Sequence, residues 1–450
     1  MEKRSNFSGK IGFVLAAAGS AVGLGNIWRF PYLTAQYGGG IFLLIYIVLV
    51  ITFGFSLMIT ENALGRKTGL SVIGAYKALD KRFSFLGILS ALVPLIIVPY
   101  YSVIGGWVLK YITVYLAGQQ QTAAEDGFFS SFIGATGEPI LFLIIFLAVT
   151  FAIVIGGVEK GIEKANKFLM PALIVLLIIV AGYSCTLPGA LDGVVYMFKP
   201  DFSNFSVNTI LAALGQMFYS MSLAMGIMVT YGSYLKKDID MEKSVKQIEW
   251  FDTGVAILAA LMVVPAVFAF SGGDSSQLSA GPGLMFMTLP KVFNNMAIGR
   301  IVGALFFLLV FFAALTSAIS LMEAVVSIFR DKFHWGRKKA CIIVGIIILV
   351  LAMPSTLGNG IWSNIKLLGF QFLDFFDFIS NSVLMPIVAL LTCIFIGWVV
   401  GPKVISDEVK LSSGFKREKL FIVIIKYVAP IFILAILISS VLNSFGIIKI

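Results

Sequence analysis

Residues 16–31, AAAGSAVGLGNIWRFP, lie in an apolar run long enough to cross a bilayer, yet they carry three glycines, a serine, an asparagine and an arginine. Gly19, Gly23 and Gly25 each cost about 1 kcal/mol against alanine in a helix interior. A permanent charge such as Arg29 is poorly tolerated in hydrocarbon. Two readings stay open. Gly19 and Gly23 have the small-xxx-small spacing that lets another helix approach closely. Alternatively the helix unwinds here, and its freed carbonyls need partners, of which a cation is one that a membrane interior allows. Packing alone does not call for Asn26 close to Trp28 and Arg29.

The rest of the chain supports a membrane setting. Of 450 residues, 59% are hydrophobic and only 12% are charged, against roughly half and a quarter in soluble domains. Mean hydropathy is +0.99, and apolar runs of about 18 residues or more recur from end to end, each read as a transmembrane helix. The run from Ile11 through Pro31 is expected to be a retained span and not a cleaved leader, because no A-x-A-like site follows it. The formal charge of +10 does not point to nucleic acid. Its lysines and arginines fall in alternate loops, such as EKGIEKANK, KKDIDMEKSVK and RDKFHWGRKK, while GQQQTAAEDG and SGGDSSQ are acidic. The positive-inside rule then places the N-terminus in the cytoplasm. Cys185, Cys341 and Cys393 are scattered, and the single His334 sits in a charged loop, so neither metal nor redox chemistry has a motif.

The hydropathy predicts eleven spans, about 11–34, 40–65, 84–117, 139–156, 162–185, 208–235, 243–270, 297–328, 338–353, 365–399 and 419–444, forming one domain with the C-terminus outside. Ionisable groups inside them are few: Arg29, Glu61, Asp252, Glu323, Asp374 and Asp377, with Lys366 and Lys426 near the ends. Arg29 and Asp377 fall at similar depth, and either pair with each other or reach water separately. Asp252, in QIEWFDTGVAIL, lies about 15 Å into its helix at 1.5 Å per residue. It is either a neutral, hydrogen-bonded acid or a cation ligand or proton carrier. FYSMSLAMG (218–226) and AALTSAIS (313–320) add hydroxyls, and Thr316, Ser317 and Ser320 make a patch of hard oxygens. Such hydroxyls also bond routinely to their own helix.

AVGLGNIWRFPY, QYGGG, FYSMSLAMG and LTSAIS together resemble the neurotransmitter:sodium symporters, in particular their bacterial amino-acid branch, over nearly the whole chain. The resemblance implies an all-α fold of two inverted five-helix repeats, about 8–185 and 208–399, with helices 1 and 6 broken and an extra helix at about 419–444. It implies a sodium-coupled importer of a hydrophobic L-amino acid, working by alternating access in a bacterial inner membrane. The alternatives are a proton-coupled carrier or an amino-acid sensor without transport. No enzyme and no nucleic-acid partner is implied; the partners are the small substrate and the lipid bilayer.

Two sodium sites follow by the same match. One would use the Ala21 carbonyl, Asn26, Ser220, Asp252 and the substrate carboxylate. The other would use carbonyls of Gly19, Val22 and Ala313 with the hydroxyls of Thr316 and Ser317. The amides of Leu24 and Gly25 and the Tyr101 hydroxyl would face the substrate carboxylate. The side-chain pocket would be Ile97, Tyr101, Tyr219, Ser222, Met225, Ser317 and Leu321. Arg29 and Asp377 would form an outer gate under which Tyr101 and Tyr219 lie, and Arg4 with Asp331, near Tyr234, an inner one. Gly161 and Pro171 would let the fifth span open. Gly23 and two departures from the family pattern matter. Gly23 stands where monoamine carriers have an aspartate, which implies a substrate bringing its own carboxylate. Asp252 stands where many bacterial relatives and animal members have an asparagine, and Ala256 where animal members have a chloride-binding serine, which implies transport without chloride. Tyr219 and Ala224 stand where Phe and Gly are commoner.

Overall fold

A computed structural model describes residues 6–272 and 281–448. Among them the secondary structure is helical, interrupted by two isolated β-bridges, Gly39 with Pro200 and Leu367 with Phe370. Nine helices among the described residues are long and apolar enough to cross a membrane: α3 (Gly40–Thr68), α4 (Lys81–Leu116), α5 (Gly137–Ile155), α6 (Val158–Cys185), α9 (Met241–Ser271), α10 (Gly299–Phe333), α11 (Arg337–Leu357), α12 (Phe372–Val399) and α13 (Glu418–Ser444). The opening stretch adds a bent pair, α1 (Lys10–Ala21) and α2 (Gly25–Gln36), whose axes differ by 55°. A second interrupted pair is α7 (Val207–Ser220) followed by α8 (Ile227–Gly232).

Burial separates a central set from a surrounding one. In the most apolar window, 72% of α3 and 67% of α9 and α10 are buried, against 28% of α5 and 33% of α13. The outer helices expose Phe168, Ile178, Ile346, Val350 and Ile431, a surface that suits lipid chains and not water. The short helix α1 is enclosed by α6, α9 and α10, and α8 by α3 and α10. The α3–α8 contact requires glycine: a Cβ on Gly65 would lie 1.9 Å from the Val229 carbonyl oxygen, and one on Gly232 would lie 2.3 Å from that of Asn62.

Ten of the eleven expected spans fall on these helices or on the bent pair, while the one expected at about 208–235 falls on α7 and α8, neither long enough to cross alone; two further differences appear. The span expected from residue 365 begins at Phe372, because Leu368 and Gly369 take positive φ of 51° and 89° and close a turn before it. The connections expected as loops also contain helices, at Phe128–Gly134, Ala190–Phe198 and Leu289–Asn294. Ala190–Phe198 buries Ala190, Gly193 and Met197, an i, i+3, i+7 stripe too short for a hydropathy window.

Candidate functional site at two helix breaks

The first break follows α1. Val22 leaves helical geometry with ψ 98°, and the Gly23 N–H donates to Asn26 Oδ1 at 3.0 Å. Asn26 therefore satisfies a backbone donor that the unwinding released. The Leu24 N–H donates to the Tyr101 hydroxyl at 3.3 Å. Between the two sequence readings of this stretch, the structure selects the broken helix.

The second break follows α7. Ser222, Ala224 and Gly226 all take left-handed backbone, with φ of 52°, 58° and 70°. For the serine and the alanine that conformation costs about 1–2 kcal/mol each. What holds it is Glu61 of α3, which is only 4% exposed and whose Oε1 accepts the Ala224 N–H at 2.7 Å. Glu61 is absent from the residues the family match assigned; its one sequence signal is an acid in the middle of an apolar span. Replacing Ala224 by glycine removes its strain and adds unfolded-state entropy of about 0.4–1 kcal/mol. The net expectation is a stabilisation of about 0.5–1 kcal/mol, read as a higher unfolding midpoint in detergent.

The breaks meet. Ser222 Oγ donates to the Ser20 carbonyl at 2.9 Å and Gln216 Nε2 to that of Gly25 at 3.0 Å. Between them lies a cavity of about 30 Å³. Ala21, Leu24, Gly25, Asn26 and Ser220 are among its lining residues. Ile97, Met225 and Leu321 add apolar side chains, and Tyr101, Tyr219, Ser222 and Ser317 complete the expected pocket residues; Ile227 joins them unanticipated. A Cβ on Gly23 would lie 2.7 Å from Ser317 Oγ and 3.1 Å from the Tyr101 hydroxyl, so a side chain there would occupy the cavity wall.

Asp252 stands beside this cavity and is fully buried. Its Oδ1 accepts from Asn26 Nδ2 at 2.8 Å and from Ser220 Oγ at 2.8 Å. Its Oδ2 accepts from the Tyr46 hydroxyl at 3.1 Å. Among the described residues no lysine, arginine or histidine lies within 4.0 Å of it. A buried carboxylate held by three neutral donors is a poor final arrangement for an anion and a good ligand for a cation. Tyr46 was not anticipated; one tyrosine in an aromatic-rich span gives no local signal.

A second oxygen cluster sits at α10. Ser317 Oγ lies 3.5, 3.1 and 3.4 Å from the carbonyl oxygens of Gly19, Ser20 and Val22. Thr316 Oγ1 lies 3.1 Å from that of Ala313. Carbonyls and hydroxyls converging from two helices fit a hard cation such as sodium.

Of the two ion pairs expected at the gates, one can be followed among the described residues. Arg29 and Asp377 line the same second cavity, of about 380 Å³, without bonding to each other. Asp377 Oδ1 accepts from Asn381 Nδ2 at 2.6 Å and from the Tyr100 hydroxyl at 3.1 Å, while the Arg29 guanidinium lies 5.8 Å from the Tyr219 ring centre. Tyr219 borders both cavities and separates them. Of the second expected pair, Arg4 lies outside the described residues. Asp331 accepts the Ser71 N–H at 2.6 Å, and the Tyr234 hydroxyl donates to Glu323 Oε1 at 2.7 Å. Glu323 in turn pairs with Arg337 at 2.5 Å. Gly161 and Pro171 both lie within the continuous helix α6, whose first turn, Val158–Glu163, is π-helical.

Comparison with known proteins adds three findings. The profile described as the sodium:neurotransmitter symporter family matches residues 4–124 and 126–447. Two uncharacterised sodium-dependent transporters are similar across 98% of this chain and 98% of their own length: YhdH of Bacillus subtilis, 34% identical, and a protein of Haemophilus influenzae, 32% identical. The crystal structure of MhsT in complex with L-phenylalanine superposes with a TM-score of 0.87 at 39% identity, covering 97% of this chain and all of that one.

Proposed function

The chain belongs to the sodium:neurotransmitter symporter family, a family of multi-pass membrane transporters and not enzymes, and from that premise we propose that it imports a hydrophobic L-amino acid together with sodium, without chloride. The observation that carries this reading is the junction of the two helix breaks. One small cavity is lined by the unwound backbone at Leu24, whose N–H meets the Tyr101 hydroxyl, by Asn26 and Ser220, which bond the buried Asp252, and by the apolar Ile97, Met225 and Leu321.

Each part has a physical role. The unwound amides and Tyr101 meet a substrate carboxylate, as helix termini meet anions. Asp252, Asn26, Ser220 and the Ala21 carbonyl hold one sodium against that carboxylate, so substrate and ion bind better together than apart. Thr316, Ser317 and the carbonyls of Gly19, Val22 and Ala313 hold the second. Ile97, Met225, Ile227 and Leu321 select an apolar side chain, and a charged one would be buried unpaired. The L-phenylalanine bound in the MhsT structure supports an aromatic or large aliphatic substrate. Asp252 supplies the negative charge that an anion would otherwise bring, because the position one turn on, Ala256, offers no donor.

Two broken helices in corresponding positions support two inverted repeats of five spans, with α13 as an eleventh span. The loop charges support an N-terminus in the cytoplasm and a C-terminus outside, consistent with a bacterial inner membrane. Each inward sodium releases about 2.3 kcal/mol per 100 mV and about 1.4 kcal/mol per tenfold gradient. Two would sustain about 10⁵-fold accumulation of a zwitterion.

The test is uptake of a labelled amino-acid panel into proteoliposomes under an inward sodium gradient, with chloride or gluconate as the anion. Sodium-driven uptake of phenylalanine, leucine or tyrosine, equal in both anions, is the expected result. Uptake driven by a proton gradient and indifferent to sodium would make Asp252 a proton carrier. Sodium-dependent binding without uptake would make the protein a sensor.

A further inference from the structure

We propose that the Asn166 side-chain oxygen is the first protein ligand to receive the second sodium as it leaves for the cytoplasm. The inference rests on the second sodium site proposed above and concerns a residue that the site itself does not use. Asn166 of α6 is fully buried. Its Nδ2 donates to the Ile162 carbonyl at 2.9 Å, which fixes the amide so that Oδ1 points the other way. That oxygen has no hydrogen-bond partner. It lies against Gly19 so closely that a Cβ on Gly19 would sit 2.1 Å from it, with Met170 Sδ at 3.3 Å. Gly19 is the residue whose carbonyl faces Ser317. A buried acceptor without a donor, placed beside a cation-binding carbonyl, is unfavourable in the resting arrangement. A leucine would fill the same space without that cost. The oxygen acquires a partner once a cation, or its hydration water, moves off the carbonyl ring toward α6.

Two polar tracks lead inward from Thr316 and Ser317, and charge decides between them. One follows α10 through Ser320, which accepts from Tyr231 at 2.8 Å, to Glu323. It ends on the Arg337 guanidinium, which is clamped by Glu323 and the Val154 carbonyl and whose side chain is 14% exposed. A fixed buried cation repels a departing one. The other follows α6 from Asn166 to Glu163, three residues toward the cytoplasm on the same face. The Glu163 carboxylate accepts the Ser8 N–H at 2.8 Å and the Ser8 hydroxyl, packs on Gly12 of α1, and pairs with Lys167 at 2.7 Å. The Lys167 side chain is 48% exposed and is free to swing into water. The Asn166–Glu163 track therefore presents oxygens to the ion and ends on an anion. It also crosses the π-helical turn Val158–Glu163, a form found often where helices change at functional sites.

The test uses the full-length protein in proteoliposomes, with labelled L-phenylalanine and sodium. For Asn166→Leu, net uptake into sodium-free vesicles is expected to fall about tenfold. Equilibrium binding, and exchange with equal sodium on both faces, should stay within about twofold of the wild type, because neither requires sodium to leave. Loss of exchange in proportion to net uptake, or no loss of net uptake, would overturn the proposal. Asn166→Asp, nearly the same shape, decides independently if the leucine variant does not fold. A carboxylate there should lower the internal sodium concentration that half-inhibits uptake by about tenfold, and an unchanged value would overturn the proposal. Wild-type protein that lacks sodium-dependent phenylalanine binding would remove the sodium site itself, a failure visible before any variant is compared.

Discussion

Asp252→Asn should raise the sodium concentration for half-maximal phenylalanine binding by about 100-fold, because on the proposed function it exchanges a charged ligand for a neutral one in a fully buried shell. The carboxylate is held by Asn26, Ser220 and Tyr46, and asparagine fits the same space with one oxygen in place of two. The protein should still fold, since the substitution removes a buried charge. Adding Ala256→Ser to Asp252→Asn places a hydroxyl one turn further along α9, where with Tyr46 and Ser220 it makes a cluster of neutral donors. Sodium affinity in the double variant should recover in chloride and not in gluconate. The measurement is equilibrium binding of labelled phenylalanine across a sodium titration in each anion. An Asp252→Asn variant with unchanged sodium affinity would remove Asp252 from the ion's shell.

Glu61→Ala should lower phenylalanine affinity at saturating sodium by about 30-fold or more. The reason is structural and lies one layer behind the substrate. The Glu61 carboxylate holds the Ala224 N–H at 2.7 Å between two residues in left-handed backbone, Ser222 and Ala224. Without it a buried N–H is left unmet, which costs about 1–3 kcal/mol, and nothing opposes the relaxation of the strained turn. Ser222 and Met225, which wall the cavity, would move with it. Glu61→Gln keeps an acceptor at the same place and should stay within about fivefold of the wild type. Equal losses in both variants would show that the charge of Glu61 matters and its hydrogen bond does not.

The two variants separate what each acid does. Asp252 bonds Asn26 and Ser220 of the cavity lining and is proposed to act on an ion; Glu61 bonds a backbone amide and acts on the shape of the chain. Both are single acids in long apolar runs, and composition alone treats them alike. Asp252 stood out at the sequence level through its depth in the span, and its match to a family position then gave it a role. Glu61 had no such match and was noted only as an expensive residue.

Much of the architecture was legible from residues 16–31 and from the hydropathy. Apolar runs are local, and each is long enough to declare itself, so the helices fall where the sequence places them. The first break was legible because Gly19, Gly23, Gly25 and Asn26 each oppose a continuous helix within one short stretch. The second break was not. SMSLAMG holds one glycine and no proline, and its unwinding depends on Glu61, 163 positions away. The same distance in sequence hides Tyr46, which reaches Asp252 across 206 positions, and the unmet oxygen of Asn166 against Gly19. The expected Arg29–Asp377 pair failed for a related reason. Similar depth can be read from a sequence, but which neighbour wins a carboxylate depends on side chains from other helices, here Tyr100 and Asn381. The sequence by itself determined which segments enter the membrane and where the first must open, because hydrophobicity and helix propensity are properties of adjacent residues. Only the tertiary structure decided which buried polar groups satisfy one another, because in a dry interior each has few partners and those come from distant parts of the chain.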